Sequence, residues 1–320
     1  MKSWLSAPST RIFGALVILV AFFTALRPTS FATPANIANI AADASILLVL
    51  AVGATYVILT SGIDLSVSGV LVFSGVIAAK IMAAVGGDGV GVMLLGLVGG
   101  LVSGLAWGLV NGFLVARARI PALIVTLGTM GMSLGAALLL TGGVDIRDVP
   151  LSLVLNVGSG RVAGIPALVV IAALVALVFG VLLACTRFGR YTYAIGSNAE
   201  ALRRAGINTV RHLVKIYALA GTLAGLAGFL SLARFATTTM GGHATDNLQA
   251  VAAVVIGGTS LFGGIGTMVG SVIGVFIPTV LQNGFVVLGV SPFWQQVAVG
   301  AVLIAAVYFD QLRRRARSRG

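Results

Sequence analysis

Charged side chains are scarce in this sequence. Asp, Glu, Lys and Arg together make up 9% of its 320 residues, whereas soluble domains contain about a quarter. The mean hydropathy is +1.10, and apolar runs of bilayer-spanning length follow one another along the chain. These features exclude a soluble globular protein and predict helical membrane spans, because the strands of a membrane barrel would alternate polar and apolar residues.

Cysteine, lysine and histidine are also scarce. The single cysteine, Cys185, excludes a disulfide framework. Only three lysines are present, and none follows a glycine-rich phosphate loop, so this route of ATP hydrolysis is excluded. The only histidines, His212 and His243, are too far apart in sequence for an H-E-x-x-H zinc motif. We expect no enzyme activity, no catalytic residue, and no cofactor or metal ion bound by this chain.

The apolar runs fit about ten transmembrane helices, at roughly 20 residues per span. We expect them near residues 12–27, 38–60, 66–86, 90–115, 120–141, 163–185, 212–233, 246–262, 267–288 and 292–309. The predicted fold is an all-α, polytopic membrane protein in which residues 1–320 form a single transmembrane domain.

The basic residues are distributed unevenly between the predicted loops. With the N-terminus in the cytoplasm, fifteen of the twenty Lys and Arg fall on the cytoplasmic side and four outside, and Lys80 lies within a helix. Because positively charged loops face the cytoplasm, both termini are predicted to be cytoplasmic, with a basic tail at 310–320. The net charge of +12 resides in these short clusters, so we expect the lipid bilayer, and no nucleic acid, as a partner.

Glycine is abundant and regularly spaced in one predicted helix. It occupies every fourth position there: 96, 100, 104, 108 and 112. This spacing places the glycines on one helical face, where a neighbouring backbone can approach closely. We expect that face to pack tightly, either within the bundle or at a seam between two copies of the chain.

Two apolar segments are interrupted by polar residues and glycine: "ILTSGIDLSVSGVLVFSGVIAA" and "AVVIGGTSLFGGIGTMVGSVIG". Such interruptions are typical of a substrate path, but also of tight turns at the membrane surface. A carboxylate in the membrane is costly unless it is paired or hydrated, so Asp64 is either a path residue or a helix cap. The candidate path residues are Asp64, Ser66, Ser68, Thr259, Ser260, Gln282 and Asn283.

The stretch "IGSNAEALRRAGINTVRHL" is unusually charged for this chain. It predicts a short helix in which Ser197 is the N-cap, Glu200 completes a capping box and Gly206 ends the helix. The positive-inside count places this helix in the cytoplasm.

Four segments, in order, resemble the permease subunits of ribose-type ATP-binding-cassette (ABC) importers, within the wider family that includes branched-chain amino-acid permeases. They are "TSGIDLSVSG", "VNGFLVARARIPALIVTLGTM", "GRYTYAIGSNAEALRRAGI" and "LQAVAAVVIGGTSLFGGIGTMVGSVIGV". The likeness runs from about residue 36 to 309. Ser61 and Ser68 stand where the first motif of the family has glycine.

The resemblance implies a bacterial inner-membrane permease for a small polar solute, most readily a monosaccharide. It implies a second permease copy, an extracytoplasmic solute-binding protein, and a cytoplasmic ABC ATPase chain that holds ATP and Mg²⁺. It also implies that the loop at about 186–211 carries the coupling helix that docks on this ATPase. The coupling-helix residues are Ser197, Asn198, Glu200, Leu202, Arg203, Arg204 and Gly206.

Two other transport functions fit the same sequence. A branched-chain amino-acid or autoinducer importer would use the same scaffold with a different solute. A secondary transporter would need no ATPase and would be driven by an ion gradient alone. A membrane enzyme is disfavoured, because we expect neither a nucleophile nor a metal constellation in this chain.

Overall fold

The computed structural model describes residues 8–291 together with the separate positions 294, 297, 298, 300, 301, 304 and 308. In this part the chain is a bundle of eleven α-helices, with a π-helix at Val154–Gly158 and one short hairpin in which β1 (Arg161–Val162) pairs antiparallel with β2 (Ile165–Pro166). The helices are α1 (Pro8–Leu26), α2 (Pro34–Leu59), α3 (Val67–Val85), α4 (Val90–Ala116), α5 (Ala122–Thr141), α6 (Leu151–Leu153), α7 (Ala167–Cys185), α8 (Arg187–Arg204), α9 (Thr209–Phe235), α10 (Asp246–Ile256) and α11 (Met268–Val287).

The predicted all-α class is confirmed, and nine of the ten predicted spans correspond to helices. The tenth, 292–309, lies largely outside the described residues, as does the basic tail at 310–320. Among the described residues, seven helices are long and apolar enough to cross a bilayer: α2, α3, α4, α5, α7, α9 and α11. The predicted total of ten spans is therefore not confirmed. The prediction for 246–262 was too long, because α10 ends at Ile256 and two glycines follow it.

Helices α2 and α9 form the centre of the bundle. Their apolar stretches are almost entirely buried, whereas α4, α5 and α7 expose large apolar side chains along one face. In a membrane, such an outer face can contact lipid or another chain without an energetic cost.

The glycine face of α4 packs against α9 within the same chain. A Cβ added to Gly104 would lie 2.8 Å from the backbone nitrogen of Gly225, and one added to Gly112 would lie 2.8 Å from the Cα of Val214. These distances are too short for any side chain, so glycine allows the two backbones to touch. Of the two sequence-based interpretations, the structure favours packing within the bundle over a seam between copies.

The two ends of the bundle differ in composition. Because α4 and α9 run antiparallel, residues 117–121 and 186–208 lie at one end, which we call the basic end. Residues 86–89, 142–166 and 236–245 lie at the other, which we call the distal end. Two acids tie the distal loops together: Asp88 accepts hydrogen bonds from Ser152, and Asp145 Oδ1 accepts one from the Thr238 hydroxyl at 3.2 Å.

Candidate functional site

The predicted charged helix at the basic end is the second part of a longer helix. Helix α8 begins at Arg187, where the side chain of Thr186 accepts the Gly189 N–H at 3.3 Å. Asn198 has an extended backbone (φ −161°, ψ 90°), so α8 bends there. We call residues 187–197 the anchor and residues 198–204 the charged tip.

The residue that caps the charged tip is Asn198, so the predicted cap Ser197 was wrong. Oδ1 of Asn198 accepts the N–H of Ala201 at 2.9 Å, which is an N-cap interaction. The Ser197 hydroxyl instead donates to the carbonyl of Tyr193 at 3.0 Å, one turn back in the anchor. Both residue types are favoured caps, and only the extent of the anchor decides between them.

The other end of the charged tip is as predicted. Gly206 has a positive φ of 80°, its N–H donates to the Arg203 carbonyl at 3.0 Å, and the N–H of Ile207 donates to the Leu202 carbonyl at 3.1 Å. These two bonds form a Schellman motif, which ends a helix rigidly. Glu200 pairs with Arg203 and, at 3.6 Å, with Arg204.

The side chains of the charged tip are available to a partner. Those of Glu200 and Arg203 are each 53% exposed and that of Arg204 is 81% exposed, while Leu202 is half-buried beside them. Exposed pairs of this kind contribute little to stability, about 0–1 kcal/mol. Their free donors and acceptors can therefore be used in docking without a large loss of stability.

The anchor is fixed to the bundle by polar contacts. The hydroxyl of Thr192 lies 3.0 Å from Nε2 of His212 on α9, and the Tyr193 hydroxyl donates to the Gly266 carbonyl at 2.9 Å. Burial raises the pKa of Tyr193 above its usual value, so this hydroxyl keeps its proton and remains a donor. The anchor is thereby held to α9 and to the segment 257–267.

The two interrupted segments meet each other beside the anchor. The N–H of Gly264 donates to the Leu59 carbonyl at 2.9 Å, and the Ser61 hydroxyl donates to the Phe262 carbonyl at 2.7 Å. A Cβ added to Gly196 of the anchor would lie 2.5 Å from the Gly264 nitrogen. We call this contact of residues 59–61, 196 and 262–264 the junction. It joins three segments that are far apart in sequence.

The first interrupted segment continues from the junction into a buried polar cluster. Oδ1 of Asp64 accepts the N–H of Ser66 at 2.9 Å and its hydroxyl at 2.6 Å. The amide of Asn111 donates to the Ser66 hydroxyl at 2.8 Å, and the Thr129 hydroxyl donates to Asn111 Oδ1 at 2.7 Å. Three helices, α3, α4 and α5, are linked by this chain of hydrogen bonds.

Asp64 has the geometry of a cap on the turn that begins α3. It is 3% exposed, and among the described residues its second oxygen, Oδ2, has no hydrogen-bond partner. Ser68, in the first turn of α3, is 4% exposed. Asp64, Ser66 and Ser68 are thus brought together, but inside the bundle and away from an open cavity.

The second interrupted segment holds Thr259 and Ser260 in a tight turn. The N–H of Ser260 donates to the Ile265 carbonyl at 2.8 Å, and its hydroxyl accepts the N–H of Phe262 at 3.3 Å. Thr259 is buried against Gly266, where an added Cβ would lie 2.5 Å from the threonine hydroxyl. These two residues belong to the neighbourhood of the junction.

Gln282 and Asn283 lie at the distal end, in a third location. They line a cavity of about 400 Å³ between α2, α10, α11 and the loop 236–245. Asp43, His243 and Asp246 contribute further polar groups to its wall. The predicted path residues therefore fall into three separate groups, and sequence reasoning missed most of the polar wall of this cavity.

Asp43 of the cavity wall forms an ion pair with a neighbouring helix. Arg234 Nε donates to Oδ1 of Asp43 at 3.0 Å, and Arg234 Nη2 lies 3.4 Å from Oδ1 of Asn39. Each charge thereby compensates the other in an otherwise apolar bundle. The pairing joins α9 to α2, and no short-range sequence signal relates residues 43 and 234.

A Ser–His–Asp alignment lies beside the cavity. Nε2 of His243 is 2.7 Å from the Ser231 hydroxyl, and its Nδ1 is 2.7 Å from Oδ2 of Asp246. This resembles a catalytic triad in its order, but Ser231 is 3% exposed within α9. No substrate carbonyl can approach it, so the alignment fixes the loop 236–245 onto α9 and α10.

One nucleophile-elbow spacing, G-x-S-x-G, occurs from Gly131 to Gly135. It lies inside helix α5 and not at a strand-to-helix turn, and the hydroxyl of its Ser133 donates to the Met130 carbonyl at 3.0 Å. The spacing is therefore not a hydrolase motif here. Within the described residues, no group of three or more metal-ligating side chains is found.

Residues 36–307 match the family model described as the permease component of the branched-chain amino acid transport system. The match covers most of the chain and includes both interrupted segments, α8 and the cavity. No solved structure matches the chain.

Curated relatives match almost the full length. The chain is 38% identical over 317 residues to the ribose import permease protein RbsC of Escherichia coli (strain K12), covering 98% of this chain and 96% of the relative. It is 41% identical over 300 residues to the ribose import permease protein RbsC of Bacillus subtilis (strain 168), covering 93% and 91%. It is 36% identical over 301 residues to the D-allose transport system permease protein AlsC of Escherichia coli (strain K12), covering 94% and 90%.

Proposed function

Because the chain belongs to the family of branched-chain amino-acid transport-system permease components, we propose that it is the membrane permease of an ABC importer for a monosaccharide. It is a multi-pass protein of the bacterial inner membrane, and residues 1–320 form one permease domain. The curated relatives are named for ribose and D-allose, which favours a monosaccharide over a branched-chain amino acid or an autoinducer.

The observation that carries this proposal is the junction. A charged tip that is exposed at one end of the bundle continues directly into an anchor, and the anchor contacts both interrupted segments. A movement imposed on the tip would therefore reach both segments without passing through a flexible linker. ATP-driven transport requires such a rigid connection, since the work is done outside the membrane.

The charged tip is the docking element for the ATPase. The loop 186–211 carries it at the basic end, with a half-buried Leu202 surrounded by Glu200, Arg203 and Arg204. An apolar centre with a charged rim is typical of protein interfaces, and the rim orients the partner. ATP and Mg²⁺ are held by that partner, and this chain binds neither.

The basic end faces the cytoplasm. It carries Arg117, Arg119, Arg187, Arg190, Arg203, Arg204, Arg211 and Lys215, whereas Arg27, Arg147, Arg161 and Arg234 lie towards the distal end. The positive-inside rule supports this orientation and cytoplasmic termini. The distal end then faces the solute-binding protein, and the exposed apolar faces of α4, α5 and α7 are available to lipid and to a second permease copy.

The proposed docking is tested by reconstituting the chain with its ABC ATPase in lipid nanodiscs. The double substitution Leu202→Asp, Arg203→Glu should abolish co-purification of the ATPase. The control Arg190→Glu reverses an exposed charge on the anchor and should leave binding intact. Equal binding by both variants would place the dock elsewhere, and failure of the wild type to bind any ATPase would favour a secondary transporter.

The substrate class is tested in proteoliposomes that contain the permease, the ATPase and the solute-binding protein. ATP-dependent uptake of labelled D-ribose, D-allose or L-arabinose is expected, with no uptake of labelled L-leucine. Uptake of leucine alone would establish the amino-acid alternative. Uptake driven by an ion gradient without ATP would establish the secondary-transporter alternative.

A further inference from the structure

The cavity at the distal end has the size and position of a ligand site. Its volume is about 400 Å³, which is within the range of about 300–1,000 Å³ found for small-molecule pockets. It is bounded by α2, the end of α9, α10, α11 and the loop 236–245, all from one chain. It therefore does not require a second copy to be complete.

The wall of the cavity combines apolar and polar surfaces. Ile46, Leu47, Phe235 and Val286 provide apolar area, and carboxylate, amide and hydroxyl groups lie between them. A monosaccharide has the matching character, since its ring presents C–H faces and its edge carries hydroxyls that both donate and accept. An uncharged polar solute of this kind needs paired donors and acceptors when it leaves water.

Several polar groups of the wall have unused hydrogen-bonding capacity within the described residues. Gln282 makes no hydrogen bond there, and Gln249 uses its amide nitrogen on the Thr245 hydroxyl at 3.1 Å, which leaves its carbonyl oxygen. The Thr239 hydroxyl oxygen is buried without a partner. Asp43 uses Oδ1 for Arg234, which leaves Oδ2. Four side chains thus offer groups to a ligand.

Other groups of the wall are held rigidly and support these four. Asn283 and Asn36 exchange two amide hydrogen bonds, of 2.9 and 3.0 Å. His243 is fixed between Ser231 and Asp246, at 2.7 Å from each. Such partners reduce the entropy lost when a ligand orders the site.

We propose that this cavity is a monosaccharide-binding site of the permease itself, with Gln282, Gln249, Thr239 and Asp43 contacting the sugar hydroxyls. The inference rests on the proposed function and adds to it, because the permease would then select its solute in addition to the solute-binding protein.

One side of helix α10 faces the cavity. The opposite side of α10 reaches the first interrupted segment, where the Asn247 amide donates to the Leu65 carbonyl at 3.1 Å. Helix α10 therefore separates the bound sugar from the buried polar cluster.

The test measures sugar binding to the purified permease in nanodiscs, without ATPase or solute-binding protein. Labelled D-ribose, D-allose and L-arabinose are the probes, at concentrations up to those that saturate uptake. At least one of these sugars should bind to the wild type.

Gln282→Leu should weaken that binding about threefold to tenfold, as expected for the loss of one hydrogen bond. The double variant Gln249→Leu, Gln282→Leu should weaken it further. The control Asn156→Leu removes an exposed amide at the distal end, outside the cavity, and should bind like the wild type.

A second measurement does not depend on loss of binding. Gln282→Cys, in a Cys185→Ala background, should react with a maleimide, and the bound sugar should slow that reaction. No binding by the wild type, or equal binding by the double variant together with unprotected labelling, overturns the proposed site. Uptake by the reconstituted wild type distinguishes this failure from failure of the proposed function, since the transporter would then work without this site.

Discussion

The backbone N–H of Gly264 donates a hydrogen bond of 2.9 Å to the carbonyl oxygen of Leu59. This bond joins the C-terminal end of α2 to the turn between α10 and α11, directly against Gly196 of the anchor. The contact is between backbones, so it depends on small residues and not on a particular side chain. A movement of the anchor should therefore displace both interrupted segments with little local rearrangement at the junction.

We predict that Gly196→Ala uncouples the transporter. The added methyl group would lie 2.5 Å from the Gly264 nitrogen, so the anchor must move away from the junction. Binding of the ATPase should persist, because Asn198 still caps the charged tip, while sugar uptake falls strongly. Co-purification and uptake are measured on the same preparation. Gly128→Ala is the control, since its added methyl group meets open space; normal uptake by Gly196→Ala would contradict the prediction.

The glycine face of α4 predicts a clear contrast between two valine substitutions. Gly104→Val places side-chain atoms where the backbone of α9 lies, and overpacking of this kind costs about 1–3 kcal/mol or more. Gly131→Val on α5 places its Cβ in open space, with no atom within 4 Å. Thermal unfolding in detergent should show a lower midpoint for Gly104→Val only. An equal decrease for both would indicate a general effect of valine in these helices.

Two substitutions of Asp64 should differ in stability. Asp64→Asn retains an oxygen at the position of Oδ1, which accepts both hydrogen bonds from Ser66. Asp64→Leu removes that acceptor and leaves the buried N–H of Ser66 unpaired, at a cost of about 1–3 kcal/mol. The unfolding midpoint should therefore decrease in the order wild type, Asn, Leu. A leucine variant as stable as the wild type would show that the cluster does not depend on Asp64.

The cap of the charged tip can be tested by hydrogen exchange. Asn198→Ala removes the acceptor of the Ala201 N–H and should destabilise the tip by about 1 kcal/mol. Amides 201–204 should then exchange about fivefold faster. Ser197→Ala removes only a bond back to Tyr193 and should leave these amides unchanged. The reverse result would restore Ser197 as the cap.

The contact between Asp88 and Ser152 predicts a pH dependence at the distal end. Hydrogen bonds from Ser152 lower the pKa of Asp88 below its ordinary value of 3.8. A carboxyl with a lowered pKa stabilises the folded loop above its ordinary pKa, and this stabilisation is lost as the pH falls through the lowered value. Ser152→Ala should return the pKa towards 3.8, measured by carboxyl ¹³C NMR titration of Asp88. An unchanged titration would mean that the contact does not exist in solution.

Much of the fold follows from local properties of the sequence. Apolar runs of spanning length and glycine interruptions act over a few consecutive residues, and the predicted helices 38–60, 66–86, 90–115 and 120–141 agree with α2 to α5 within a few residues. Gly206 was predictable as a helix end for the same reason, because a left-handed position after a helix favours glycine. The resemblance to the permease family likewise lies in four separate motifs, each of which is a run of consecutive residues.

The prediction failed where a local pattern allowed two results. Ser197 and Asn198 are adjacent, and both residue types cap helices. Only the packing of the anchor against α9 and the segment 257–267 extends the helix through Ser197 and leaves Asn198 at the bend. The C-terminal end of α10 was missed similarly, because an apolar and glycine-rich sequence is compatible with helix or turn.

The sequence alone thus determined that this chain is a helical membrane permease, where most helices lie, and which residues are polar within them. The tertiary structure decided which of those polar residues meet. The ion pair of Asp43 with Arg234, the bond of Gly264 with Leu59 and the cavity lined by Gln249 and Gln282 each join distant segments. Such contacts depend on the direction and order in which whole helices pack. Hydropathy and spacing report only on neighbours along the chain, so they cannot specify these contacts.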